Sequence, residues 1–323
     1  MKHDRIYQFL LSLVLALLLT TSCDRSSTFL SSIPPSNCRI VQHYAGESCI
    51  PLQPKRIVTL DGSTFEYALA LGMQPIGSVL DQMDTHLLDR AKGVENVGTA
   101  GAPNLEKILQ LKPDLILGLD FHQAIYSQAT RIAPVVLFDF QHSGQWKEIF
   151  MKIGEILDKS DVVEQVLDRY YERIREFKAK TSGSSPSVSV LRIDPISIYP
   201  YFKDSFCGVV LQDAGLPRPQ AQNLSAAEAV QQFGNPIQTA ISKERIDFIE
   251  GDVIFTYVGE NTIQSAQTAQ SRMEKLKSDP IWQNLAAVQR NRVYQVPSYW
   301  IGSSPISANL VLDDLFKYLV DEA

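Results

Sequence analysis

The chain has 323 residues, 45% of them hydrophobic and 20% charged, and a formal net charge of −6. That is enough for one large or two medium domains with an ample core. The acidic balance, without a basic run or an interleaved aromatic patch, speaks against a nucleic-acid partner.

The first residues stand apart from the globule. Lys2 and Arg5 precede the apolar run Phe9 to Leu19, and Thr20-Thr21-Ser22 lead to Cys23. This is a signal peptide over residues 1–22, too short for a comfortable membrane span. The small residues before Cys23 resemble a bacterial lipobox, with Thr20 where Leu is usual. Cys23 is therefore read as a lipidated N-terminus, with simple secretion as the alternative. Asp24 resembles the signal that keeps such lipoproteins on the outer face of the cytoplasmic membrane. Removing residues 1–22 leaves 28 basic against 35 acidic residues, a net charge of −7. Residues 23–37 contain a Ser- and Pro-rich tether.

Cys38 and Cys49 bracket a stretch that reads as a hairpin turning near Ala45-Gly46. In an oxidising envelope a Cys38–Cys49 disulfide is favoured, worth about 3 kcal/mol in the chain-entropy model. Cys207 reads as a buried helix residue, and no pair has CxxC spacing. Strands are expected at Ile57–Leu60, Pro75–Leu80, Leu115–Leu119 and Pro134–Phe138. Helices are expected at Thr64–Leu71, Leu105–Leu111 and Phe121–Arg131. Short turns join them, so residues 38–143 form an α/β lobe with a parallel sheet covered on both faces.

From Trp146 to Lys180 runs the longest helical pattern. Val163, Val166, Leu167, Tyr170, Ile174 and Phe177 recur at helix spacing. Asp161 with Glu164 suggests a capped fresh start. Residues 144–182 are thus a linking helical region, a spine between two α/β lobes. After it, residues 183–323 repeat the design. Strands are expected at Val188–Ile193, Asp252–Tyr257 and Arg292–Pro297. Helices are expected from Ser205 to Gly215 and at Ile241–Phe248, Ala266–Leu276 and Ala308–Val320, with Asp279 capping another that begins at Pro280. There is a faint internal repeat: Glu106 is followed eight residues later by Asp114 and a strand, and Glu244 by Asp252 and a strand.

At this level the chain resembles the substrate-binding proteins of bacterial ABC importers for ferric siderophores, cobalamin and haem. The matching stretches are Pro54–Leu60, Asn104–Gly118, Lys203–Phe206, Tyr299–Ser303 and Ala308–Asp314. The resemblance implies two α/β lobes on one long helix, a ligand cleft between them, and no chemistry. It implies a ferric siderophore as ligand, with cobalamin or haem as alternatives, no cofactor, and iron carried only within the siderophore. It further implies a monomer that docks on an ABC permease dimer with its ATPase, Glu106 and Glu244 meeting one permease subunit each.

The rivals are an envelope enzyme and a direct metal-ion receptor. No G-x-S-x-G, H-E-x-x-H or phosphate loop is present. His43, His86, His122 and His142 are widely spaced, and no direct metal set is visible. A bulky anionic chelate needs aromatic walls and a cation instead. Arg192, on an apolar strand, must find a partner or face the cleft. Tyr199, Tyr201, Phe233, Tyr257 and Trp300 lie near strand ends or in loops, and Trp146 at the lip before the spine. His122 and His142 follow strands that end at the presumed cleft, and His122 is taken as a contact. Hydroxamate-siderophore members carry an Arg where this chain has Ala100, so the siderophore class stays open.

Replacing Cys23 by Ala is expected to release the protein from membranes or leave it unprocessed, as read by fractionation and intact mass. Processed protein that stays membrane-bound would refute lipidation there.

Overall fold

Two mainly aliphatic and mainly buried runs, Leu115–Leu119 and Val188–Ile193, dictate the centres of two sheets covered on both faces. The computed structural model describes residues 37–80, 85–181, 185–259 and 263–321. The leader, Cys23 and nearly all of its tether lie outside them.

The N-terminal lobe begins with the hairpin β1 (Cys38–His43) and β2 (Gly46–Pro51), in which Cys38 and Cys49 are bonded. The hairpin docks on the sheet edge, where the Ser48 hydroxyl donates to the Val135 carbonyl over 2.7 Å. The sheet contains β3 (Ile57–Thr59), β4 (Gly77–Ser78) and β5 (Glu95–Asn96). After the small hairpin β6 (Gly98–Thr99) and β7 (Ala102–Pro103) come β8 (Leu115–Leu119) and β9 (Val135–Phe138). The order is β5-β4-β3-β8-β9, all parallel. Helices α1 (Gly62–Ala70), α2 (Leu105–Leu111) and α3 (Gln123–Ala129) connect strands. Asp61 and Asn104 cap the first two by accepting from the N–H of Thr64 and Lys107. Leu115, Leu117 and Leu119 pack into one apolar cluster and Ile116 into another, the alternation a doubly covered strand requires.

The C-terminal sheet has the order β11-β10-β12-β13, from β10 (Val188–Ile193), β11 (Ile198–Pro200), β12 (Val253–Val258) and β13 (Val293–Val296). Strand β11 is antiparallel to β10, and the other pairs are parallel. Around it lie α6 (Phe206–Asp213), α7 (Ala226–Phe233), α8 (Ile263–Lys277) and the last long helix α9 (Pro305–Phe316).

Between the lobes the expected spine is two helices, α4 (Trp146–Ile156) and α5 (Ser160–Lys180). The Asp161–Glu164 cap does not form, because α5 starts at Ser160 without a side-chain cap. Instead Asp158, at φ 57°, closes α4. The N–H of Lys159 bonds the Gly154 carbonyl and that of Asp158 bonds Glu155, the pattern usually completed by glycine. Gly154 lets the two helices cross: a Cβ there would lie 2.2 Å from the Val163 side chain. Along α5, Val163 belongs to the N-terminal core and Tyr170, Ile174 and Phe177 to the C-terminal one, while Leu167 touches both.

Three further expectations need correction. Residues 241–248 are not a helix. Ile241 bonds Ile198 as a β-bridge and only Ile246–Phe248 turn as 3-10 helix, with Phe248 drawn into the core. Residues 226–233, left without an element, form α7, capped reciprocally by Ser225 and Glu228. Tyr199 is in strand β11 rather than a loop. The internal repeat has a structural counterpart: Asp114 accepts from the N–H groups of Lys55 and Arg56, and Asp252 from that of Ser187. Each Asp thereby ties the start of its own strand to the start of the neighbouring parallel strand.

Trp146 is fully buried in the C-terminal core although the rest of α4 packs on the N-terminal one. Trp146→Ala is expected to cost about 3–5 kcal/mol and to lower the stability of both lobes in one transition. Denaturant unfolding followed by near- and far-UV circular dichroism tests it; separate transitions, or a loss under about 1 kcal/mol, would contradict it.

Candidate functional site: a cleft between the lobes

Loops at the C-terminal ends of parallel strands leave a crevice where ligands bind in open α/β sheets. Here both lobes contribute to one cavity of about 500 Å³. Gly62, Ser63 and Glu66 of α1 and Phe140–Ser143 after β9 line one side. Tyr201, Asn235–Ile237 and Ile301–Ser303 line the other.

Its floor is a polar seam. The Ser303 hydroxyl donates to Ser63 over 2.8 Å. The Ser307 hydroxyl lies 3.0 Å from both oxygens of the buried Glu66 carboxylate. His86 Nε2 is 2.5 Å from Glu66 Oε1 and its ring meets Tyr299 edge-on. Beyond the cavity Gly144 touches the opposite lobe so closely that a Cβ would sit 1.9 Å from the Asp204 carbonyl oxygen. Lys147 reaches Asp213, which also accepts from the Tyr170 hydroxyl. Buried Arg218, which burial lowers to about 10, holds the Tyr201 carbonyl from beneath together with Val188 O and Gln222.

Of the residues singled out from the sequence, Tyr201 and His142 belong to the lining of this cavity. Arg192, Tyr199 and Tyr257 come together beside it. They are in register across β11, β10 and β12, so their side chains share one face at the cleft end of the sheet. The guanidinium lies 4.5 Å from the Tyr199 ring and 3.9 Å from Asp194, and its side chain is 23% exposed. Of the two alternatives for Arg192, an ion pair or the cleft, the structure contains the ion pair at long range, and Arg192 is not in the cavity lining. Phe233 ends α7, stacked on Phe202 and edge-on to Phe248, rather than standing in a loop.

Trp146 and Trp300 are not cleft walls. Trp146 packs edge-on to Tyr170 and Phe206, and Trp300 stacks on Phe255 with its N–H given to Asp314. Both rings are fully buried, because apolar area of that size gains most in a core. His122 is buried as well, its Nδ1 accepting the Leu119 N–H and lying 4.0 Å from Asp61. Burial raises the Asp61 carboxyl, and His122 and Thr64 pull it back. His142 does line the cavity. Glu66, Asn235 and Ser303 were missed; the Asp61-Gly62-Ser63 turn after a strand was their one legible signal. Glu106 and Glu244 are both exposed, on α2 and on the turn before Ile246. A hydrogen bond from Ser242 holds the Glu244 carboxyl below its usual range. Among the described residues no three His, Cys, Asp or Glu side chains converge as metal ligands.

This architecture has known counterparts. The sequence pattern of the family described as "Periplasmic binding protein" matches residues 57–300. The probable siderophore-binding lipoprotein YfiY of Bacillus subtilis (strain 168) is 34% identical over 319 residues, covering 95% of this chain and 96% of the relative. The achromobactin-binding periplasmic protein of Dickeya dadantii (strain 3937) is 30% identical, over 82% and 86% of the two chains. Among solved structures, Staphylococcus aureus SirA complexed with staphyloferrin B superposes with a TM-score of 0.74. It has 27% identity and covers 87% of this chain and 98% of its own. Matched nearly end to end by such relatives, with the same two α/β lobes, this chain belongs to the periplasmic binding protein family.

Proposed function

We propose that this protein captures a ferric siderophore in the interlobe cleft and delivers it to an ABC permease, the iron travelling only inside its chelate. The observation that carries this is a cavity built by both lobes at their strand ends, in a chain whose relatives are named for siderophore and achromobactin binding. The family is one of substrate-binding proteins rather than enzymes. The relatives' names favour a siderophore over cobalamin or haem. The chain works as a monomer in the cell envelope, held by lipidated Cys23 on the outer face of the cytoplasmic membrane.

Within the cleft, Arg192 supplies the cation for an anionic chelate, with Tyr199, Tyr257 and Tyr201 as aromatic surface. Arg192 is preorganised for this role, since stacking on Tyr199 fixes the guanidinium plane while Asp194 stays at long range. The wall on the other side is Phe140 with His142. Native mass spectrometry after incubation with iron-loaded and iron-free chelators tests the function: a bound mass of chelator plus iron supports it, and bare metal or a turned-over substrate refutes it. Arg192→Ala is expected to weaken binding by roughly 1.5–3 kcal/mol, the size of a charge-assisted hydrogen bond. Unchanged affinity in the folded variant removes Arg192 from the site.

Delivery uses Glu106 and Glu244, one exposed carboxylate on each lobe. A permease with two-fold symmetry requires one matching contact from each lobe. Exposed carboxylate–Arg pairs of this kind set orientation and encounter more than affinity. Replacing both by Ala is expected to leave chelate affinity and melting temperature nearly unchanged while lowering uptake and permease-stimulated ATP hydrolysis. Normal uptake, or loss of chelate binding by the isolated double variant, would exclude the assignment.

A further inference from the structure

Glu66 is a buried carboxylate whose hydrogen-bonding capacity is not filled by the described residues. It is 4% exposed yet lines the cavity. An ionised carboxylate offers about four lone-pair directions. Among the described residues two donors reach this one: His86 at Oε1, and Ser307, whose single hydroxyl hydrogen is shared between two 3.0 Å approaches. Among the described residues, its one ionisable partner within 4.0 Å is His86; no Lys or Arg pairs with it. A carboxylate withdrawn from water without a cation or a full set of donors is costly, and a donor arriving in the cavity recovers that cost. Among the described residues the cavity lining holds no Lys or Arg; Ser63, Ser303 and Asn235 are neutral, and His142 is an ionisable imidazole on the same wall as Phe140.

Resting on the cleft as the ferric-chelate site, we infer that Glu66 is a specificity residue that receives a protonated amine of the ligand. The ligand class narrows to ferric chelates bearing a free ammonium besides their anionic iron-binding groups. Arg192 on the C-terminal lobe and Glu66 on the N-terminal lobe then set the ligand's orientation by opposite charges. Holding Glu66 from two sides, His86 and Ser307 keep the carboxylate from rotating onto another neighbour.

The test uses the full mature chain and matched ferric chelates, each with a free amine or with that amine acetylated. One pair is ferric desferrioxamine B and its N-acetyl derivative. A catecholate pair and an α-hydroxycarboxylate pair are built the same way. Titration calorimetry is expected to show the amine member of a bound pair about tenfold to a hundredfold tighter, the range of one charge-assisted hydrogen bond. Glu66→Gln, isosteric and still able to accept from Ser307, is expected to bring that ratio close to one. Equal binding of both members by the unmodified protein, or a ratio unchanged in Glu66→Gln, overturns the assignment of Glu66 alone. Should Glu66→Gln not fold, the ratio in the unmodified protein decides. Failure of every chelate of all three classes to bind would overturn the siderophore function, and this inference with it.

Discussion

Everything in this molecule depends on one apolar stripe that serves two cores. A parallel sheet must bury both faces, so each lobe needs a helical layer on the side facing the other lobe. Helix α5 supplies part of that layer to both: Val163 packs into the first core, Tyr170, Ile174 and Phe177 into the second, and Leu167 into each. Helix α4 mirrors it, with Trp146 in the second core and Ile149, Phe150 and Ile153 in the first. Neither lobe has a complete hydrophobic interior without the pair. The lobes are therefore held in one geometry, and the cleft between them is a consequence of where their sheets end.

The cleft is correspondingly a seam as much as a pocket. Its floor is stitched by side chains more than 200 residues apart in sequence, Ser63 to Ser303 and Glu66 to Ser307. Gly144 admits the Asp204 carbonyl where any side chain would collide. Burial of the groups that make these contacts lowers the local dielectric, so each charge there acts more strongly than in water. The buried cation Arg218 donates through its terminal nitrogens to two carbonyls and an amide, which fixes the strand edge that carries Tyr201, while its Nε is left without a partner among the described residues. The buried anion Glu66 is satisfied only in part, and it is the one that faces the cavity.

The two lobes share a construction rule as well as a core. Asp114 and Asp252 each fix the entry of a neighbouring parallel strand by accepting its backbone N–H. This places Glu106 and Glu244 at equivalent distances along the chain from the sheets. The local structure between them differs: α2 is a capped helix, whereas residues 241–248 are a bridge, a turn and a 3-10 segment. The repeat therefore preserves the position of the carboxylate without preserving the element that presents it.

By itself the sequence determined the α/β class, most strands, the hairpin with Cys38 and Cys49, and a helical connection between two lobes. These follow from local quantities: apolar runs, helix periodicity and turn residues act over a few positions. It also pointed to the face of Arg192, Tyr199 and Tyr257, because a charge in an apolar strand stands out. Tertiary structure alone decided which aromatic residues are walls and which are core. Trp146 and Trp300 looked like cleft residues from their loops, yet packing with Tyr170, Phe206 and Phe255 buries them completely. It alone revealed Glu66, an unremarked residue in a helix until Ser307, 241 positions away, closes over it. The sequence expected a fresh helix start at Asp161, and the fold set the break at Asp158, where α4 and α5 cross at Gly154. Periodicity says that a face is apolar; only the folded chain says which of two cores will take it.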